Sequence, residues 1–432
     1  MKRIILQICL ICISLTSLAQ NTSELLDVYL KNSQYQKALD YLDSQEPTKN
    51  ILLQKAQCYK ALQNYNKPVE ILAPLTKEYP DDIEIKSELA VCYKLAGQTN
   101  KSITCYNDLI DFDPANIYFK IQKADILYQE EKYKDALAVY KNIYEQESLS
   151  NIARRIGQCF EKMQAADSAI IFYKKAWESN PDDGFSCGSL INLLMNIFRT
   201  EEGLSYSETY LKRNPHDQQI NLLNGICLYK LENYEKAIVR FTQCYENGDH
   251  SMLLNTCLGT SYYKLKDYSN ALPFLEEAFY QDESNNNTLS SLATTYKETG
   301  NTKKAVDLYK RLLDRSIPSN YTLYYYSKNL AEAYIANKDY QDAIEAYLSA
   351  LKFAGNYQKM DIYFSIAEIY EHSLKSNKNA LIYYRLYKKH LEEHLSSLKD
   401  SSNPDAKKVS EAEEKLRHLE KHIKSIEKPI NK

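Results

Sequence analysis

The chain has 432 residues, with 54 lysines and arginines against 57 aspartates and glutamates, for a formal net charge of −3 spread without a strong block. Binding a phosphate backbone needs a concentrated basic surface, so nucleic acid is not an expected partner. Ten cysteines and 38 tyrosines stand out in the composition, and both prove to follow a sequence period.

The first residues differ in chemistry from all that follow. Lys2 and Arg3 precede an apolar run at 4–18, and Ser17-Leu18-Ala19 puts small residues where a leader peptidase cuts. Residues 1–19 therefore read as a signal peptide cleaved after Ala19. A retained membrane anchor is the alternative, but this run is shorter than the ~20 residues that span a bilayer. Cys9 and Cys12 lack the small preceding residue of a lipidated cysteine. Cleavage would bring the net charge to −5 and leave eight cysteines. The best later apolar stretch, 190–198, is far too short to cross a membrane, so no integral segment is expected after cleavage. The expected address is the periplasm of a diderm bacterium, with secretion as the alternative.

From there a period governs the chain. Ala136, Ala169, Gly203, Ala237, Ala271 and Ala305 are spaced 33, 34, 34, 34 and 34 residues apart. Such a period predicts helical hairpins that cannot bury their apolar faces alone and must stack into a solenoid. With this small residue set as position 20, a second one falls twelve places earlier: Gly157, Gly225, Gly259, Ala293 and Ala331. Two small residues at that offset mark a close helix crossing. Phe160, Leu228, Tyr262, Tyr296 and Tyr334 follow three places after the earlier site and fill the groove beside it. Tyr106, Tyr140, Tyr173, Phe241, Tyr309 and Tyr347 lie four places after position 20 and extend one apolar stripe.

The punctuation agrees. Pro80, Pro114, Pro181 and Pro215 each fall twelve residues after position 20, where a helix must stop. Gly97 and Gly300 occupy the turns between paired helices. Cys58, Cys92, Cys159 and Cys227 share one phase, which predicts core packing, because equivalent residues on stacked helices lie too far apart for disulfides. Cys244 and Cys257 are better placed to bridge, with small core fillers as the alternative. Three departures stand out. Only 30 residues separate Ala38 from Pro68, Pro273 should delay or bend its helix, and the spacing grows to 38 and then 37 after Ala305. Those longer intervals predict longer connections at 316–321 and 353–359.

Stretches such as Gly225-Ile-Cys-Leu-Tyr-Lys-Leu-Glu-Asn-Tyr-Glu-Lys-Ala237 and Gly259-Thr-Ser-Tyr-Tyr-Lys-Leu-Lys-Asp-Tyr-Ser-Asn-Ala271 resemble the tetratricopeptide repeat. The resemblance covers 23–387 in about eleven units. It implies an all-α, right-handed superhelical solenoid whose first helices line a concave groove. Positions 2, 5, 9, 12 and 13 of those helices share a face opposite the packed stripe, and the resemblance implies that they line that groove. In two central units they are Leu222, Ile226, Tyr229 and Lys230, then Thr256, Thr260, Tyr263 and Lys264. Tyr128, Arg154 and Asn192 lie on one side and Lys297 on the other. This surface of tyrosine, lysine and some apolar area suits a protein or peptide partner, with rings packing on side chains and cations meeting carboxylates. Sugar stacking on Tyr128, Tyr229 and Tyr263 is the competing reading, and would make the protein a cell-wall or glycan binder. The lysine, asparagine and arginine set of the family's chaperone-tail clamp cannot be assembled here.

Beyond the array, 380–399 predicts a long helix, Ser401 to Pro404 a break, and 405–427 a last charged helix, so 20–390 is read as solenoid and 391–432 as a capping extension. Leu416, Leu419, Ile423 and Ile426 recur at heptad spacing; they predict a helix folded back on the solenoid, with a coiled-coil dimer instead of a monomer as the alternative. His390-Leu-Glu-Glu-His394 matches a metalloprotease pattern, and His418 and His422 are likewise one turn apart. Neither pair has an identifiable third ligand, so each reads as part of a solvated charged helix. Phosphate loops, paired metal-spaced cysteines and a serine elbow do not occur. The expectation is a binding scaffold of the cell envelope with no catalysis and no cofactor.

Overall fold

The computed structural model describes residues 25–315, 319–400 and 405–427, and all regular structure among them is helical. The leader at 1–19 and the break at 401–404 lie outside the described residues. The helices form two compact units, one ending at Asn196 and the other starting at Ile197. In the first unit, Lys49–Ala61, Ile83–Leu95, Ile117–Gln129 and Ser150–Lys162 each pair with the helix that follows, and Gly184–Asn196 closes the unit. In the second, Gln218–Lys230, Met252–Lys264, Asn286–Glu298, Asn320–Ala336 and Asn356–Glu368 play the same part.

Local chemistry sets both ends of these first helices. Thr48, Asp82, Asn116, Asp217, Ser251, Asn285 and Ser319 cap them, each side-chain oxygen accepting a hydrogen bond from an N–H of the first turn. Such caps contribute about 1 kcal/mol each. At the other end the chain reverses through a residue with positive φ, and the next N–H bonds to the carbonyl five residues back, as in Asn233 to Leu228 (2.9 Å) and Asp339 to Tyr334 (2.9 Å). Gly97 and Gly300 fill this place with φ of 72° and 81°. In most of the hairpins it is a residue with a side chain, including Gln63, Glu131, Gln164, Phe198, Glu232 and Lys266. Composition alone did not mark those turns.

The close crossing is real and tight. A Cβ added to Gly225 would lie 2.6 Å from the Phe241 ring, one at Gly157 2.9 Å from Tyr173, and one at Gly259 2.9 Å from Leu275. Tyr106, Tyr140, Tyr173, Phe241, Tyr309 and Tyr347 are all buried, as their stripe requires. The eight cysteines among the described residues are free thiols; all are buried except Cys105, which is half-buried. Cys244 and Cys257 are among them.

The enlarged spacings have a different cause from longer connections. Asn320–Ala336 starts eleven residues before its small residue Ala331, whereas Asn286–Glu298 starts seven before Ala293, so four extra residues lengthen the helix. Asn356–Glu368 is extended in the same way, and the connection before it is short. Its small residue Ala367 precedes Ala380 by thirteen places rather than twelve, and a π turn at Ile369–Ser373 takes up the added residue. Pro273 does not delay its helix: Tyr268–Gln281 begins three residues before Ala271, just as Tyr234–Glu246 begins three before Ala237. The short first interval reflects a helix of only nine residues, Tyr35–Asp43.

Helix Asn377–Lys399 runs unbroken across 390, and Ala406–Glu427 packs antiparallel on it. Leu419, Ile423 and Ile426 are buried in one cluster with Leu381, Tyr384 and Leu391. Charges line the seam, with Arg385–Glu427, Lys388–Glu420 and Lys399–Glu413 each at 2.7 Å. The heptad stripe is therefore satisfied within the chain.

Candidate functional site

In the second unit, Gln218–Lys230, Met252–Lys264 and Asn286–Glu298 each touch the next first helix, forming one continuous face as far as Asn320–Ala336. Tyr229, Lys230, Tyr263, Lys264 and Lys297 lie on it; Tyr128, Arg154 and Asn192 lie on the first helices of the other unit. Their surroundings divide them into three kinds.

The tyrosines are braced rather than free. Tyr128 meets Tyr133 edge to face at 5.3 Å, Tyr229 meets Tyr234 at 5.8 Å and Tyr263 meets Tyr268 at 6.0 Å, a contact repeated across the hairpin turn. The Tyr229 hydroxyl faces Thr260 on the next first helix, and that of Tyr263 faces Tyr325 and Thr294. Burial, with the neighbouring Tyr325, pushes the Tyr263 phenol up to about 12. These rings tie repeat to repeat while keeping one edge on the surface.

Two of the cations are already matched. Lys297, with a side chain only 13% exposed, donates to Asn329 Oδ1 at 2.9 Å and Glu332 Oε2 at 2.5 Å. Arg154 lies 3.4 Å from Asp183 and over the Phe185 ring at 5.7 Å. Asp183 in turn accepts from the Ser186 backbone and hydroxyl at the start of the next helix. Lys49–Asp82 and Lys60–Glu88 join other consecutive repeats in the same manner. Asn192, Lys230 and Lys264 are exposed, and neither lysine is in an ion pair among the described residues. Position counting found the face, but it could not separate surface groups from those that hold neighbouring repeats together. Thr294, Tyr325, Asn329 and Glu332 belong to the same face and become visible only through these contacts.

Three of the four paired histidines have structural partners. His390 stacks on Tyr363 at 5.4 Å and its Nδ1 lies 3.1 Å from Glu393, while His394 meets Tyr357 at 5.8 Å. His422 Nε2 lies 2.9 Å from Glu371 Oε2, which also accepts from the Tyr384 hydroxyl at 2.8 Å. Burial penalises the Glu371 charge, but hydrogen bonds from His422 and Tyr384 outweigh it and hold the carboxyl below the usual carboxylate range. Among the described residues no group of three or more histidines, cysteines or carboxylates is arranged to hold a metal ion. No helix among them is long and apolar enough to cross a membrane.

Stacked helical hairpins with caps, left-handed turns and small-residue crossings define a helical-repeat protein. Residues 291–358 match the tetratricopeptide repeat family. Helical hairpins continue on both sides of that stretch, and the chain is recognised as a tetratricopeptide-repeat protein. Over 192 residues it is 24% identical to a Drosophila melanogaster protein described as a BBSome complex member BBS4 homolog, covering 43% of this chain and 38% of that protein. The chain therefore matches well under half the length of that relative. Among solved structures, YrrB, described as a TPR protein with an unusual peptide-binding site, aligns with a TM-score of 0.39 and 18% identity over 43% of this chain and 96% of its own. The C-terminal part of a TPR repeat-containing protein from Cytophaga hutchinsonii aligns with a TM-score of 0.42 and 17% identity over 54% and 95%. A tetratricopeptide repeat protein from Parabacteroides merdae gives 0.39 and 16% over 57% and 96%. Likenesses at these scores are too low to support a functional argument.

Proposed function

We propose that this protein is a non-enzymatic scaffold of the bacterial cell envelope, exported by its N-terminal leader, that binds a protein or peptide on the face formed by its first helices. The observation that carries the reading is the composition of that face in the second unit. Braced tyrosine edges and half-buried Leu222 and Ile226 offer apolar area, and Lys230 and Lys264 stand exposed beside them. A preformed surface of this kind binds with little ordering cost, so specificity rests on side chains rather than on folding. Because the tyrosine rings are packed against Tyr133, Tyr234 and Tyr268, a protein partner suits the face better than a stacked sugar ring.

The test is crosslinking in the native envelope, comparing the wild type with a Lys230→Glu, Lys264→Glu double variant. Both positions are exposed, so the melting temperature should hold. A protein captured by the wild type and lost from the variant supports the reading; identical capture by both removes it. The mature N-terminus, read by mass spectrometry from the periplasmic fraction, should be Gln20, and an intact Met1 would reject export by cleavage.

A further inference from the structure

In the second unit contact between consecutive first helices runs from Gln218–Lys230 to Asn320–Ala336 and does not continue to the C-terminal end. Ala406–Glu427 occupies the place of the next first helix and runs parallel to residues 356–373, yet it packs on Asn377–Lys399 and stands away from Asn356–Glu368. Between them lie two clefts of about 450 and 460 Å³ that share Tyr387 and Lys415 and so form one furrow. Tyr384, Tyr387 and Leu391 make its floor, and Phe364, 37% exposed, projects from one wall. The hydrogen bonds of Glu371 with His422 and Tyr384 close one end.

The rims carry opposite charge. Asp361 and Glu368 stand on one, and Lys408, Lys415 and His418 on the other, interrupted by Glu411. Along the seam on the other side of Ala406–Glu427 charges are matched at 2.7 Å, whereas Asp361, Glu368, Lys415 and His418 make no ion pair among the described residues. Asp361 and Glu368 are seven residues apart, so the acidic rim presents charge every ~10 Å; on the other rim Lys408 pairs with Asp405 at 3.4 Å, seven residues before Lys415. That interval is the two-turn repeat of another helix. An extended strand returns side chains to one face every ~6.6 Å and would fall out of step. A second copy of Ala406–Glu427 does not fit, because its apolar stripe is already buried.

We propose that this furrow receives an amphipathic helix of a protein partner, its apolar stripe on Phe364, Tyr387 and Leu391, its acidic edge toward Lys415 and His418, and its basic edge toward Asp361 and Glu368. The proposal deepens the scaffold reading and rests on it, but its test is independent of Lys230 and Lys264. Three synthetic helical peptides of equal length and apolar stripe serve as probes: one with a glutamate edge and a lysine edge, one with glutamate on both, one with lysine on both. Fluorescence anisotropy on the full chain should show the mixed peptide binding at least tenfold more tightly than either uniform one. Lys415→Glu with His418→Glu makes both rims acidic and should transfer the preference to the all-lysine peptide. Asp361→Lys with Glu368→Lys should transfer it to the all-glutamate peptide. Equal affinity for the three, no binding, or a preference that neither reversal moves would overturn the proposal.

Discussion

Gly225 and Phe241 meet at a close crossing of paired helices in the second unit, and the space they leave is smaller than a methyl group requires. Gly225→Leu should cost about 1–3 kcal/mol, because the Phe241 ring must move off its site in a close-packed crossing. Urea denaturation followed by circular dichroism would measure it. Phe198 makes the opposite case. It is 93% exposed in a left-handed turn at φ 62°, a conformation that costs a side chain energy and that glycine adopts freely. Phe198→Gly should raise stability by ~0.5–1 kcal/mol, read as a higher denaturation midpoint. The cysteines test burial directly. Desolvation pushes the Cys227 thiol up to about 12 and those of Cys92 and Cys244 to about 11. The native protein should leave its buried thiols unreacted with a chromogenic disulfide at pH 8, and unfolding should release them all.

At the scale of the element, the last repeat couples a π turn, a carboxylate and the C-terminal helix. The turn admits one extra residue between Ala367 and Ala380, and Glu371 within it faces Tyr384 and His422. The folded pKa of Glu371 is depressed, so its contribution to stability is complete above the unfolded carboxylate range and is lost as pH falls through the folded value. Amide protection in Ala406–Glu427 should therefore drop as pH falls below the ordinary glutamate range. Glu371→Gln should remove that step, and hydrogen exchange across the pH range would show it. Lys297 belongs to the same scale. Its bonds to Asn329 and Glu332 join two first helices, so Lys297→Ala should cost about 1–3 kcal/mol through the acceptors left unmatched. The groove position it was assigned by counting is, in the folded chain, a joint between repeats.

Across the whole molecule, helices within each unit contact neighbours one or two along the chain, which makes stability close to a sum of local terms. Gly225→Leu should therefore reduce amide protection most in 200–281, and leave 35–180 nearly unchanged. Hydrogen exchange with mass spectrometry would show a graded loss; uniform loss throughout the chain would contradict local coupling. The positions of helices, the buried stripe and the crossings were legible in the sequence because each repeats at a fixed interval, and repetition averages out local exceptions. Gly157, Gly225 and Gly259 were found this way, as was the face that carries Tyr229 and Tyr263. A change of spacing, by contrast, does not say where the added residues go. Only the folded chain placed them inside Asn320–Ala336 and Asn356–Glu368 and in the π turn, since lengthening a helix satisfies backbone hydrogen bonds that a longer loop would leave to solvent. Nor does sequence show which charges are spent. The matching of Lys297 with Glu332 and Arg154 with Asp183, and the facing of Asp361 and Glu368 by Lys415 across the C-terminal furrow, depend on distances between residues about thirty to fifty positions apart, and tertiary packing alone sets those.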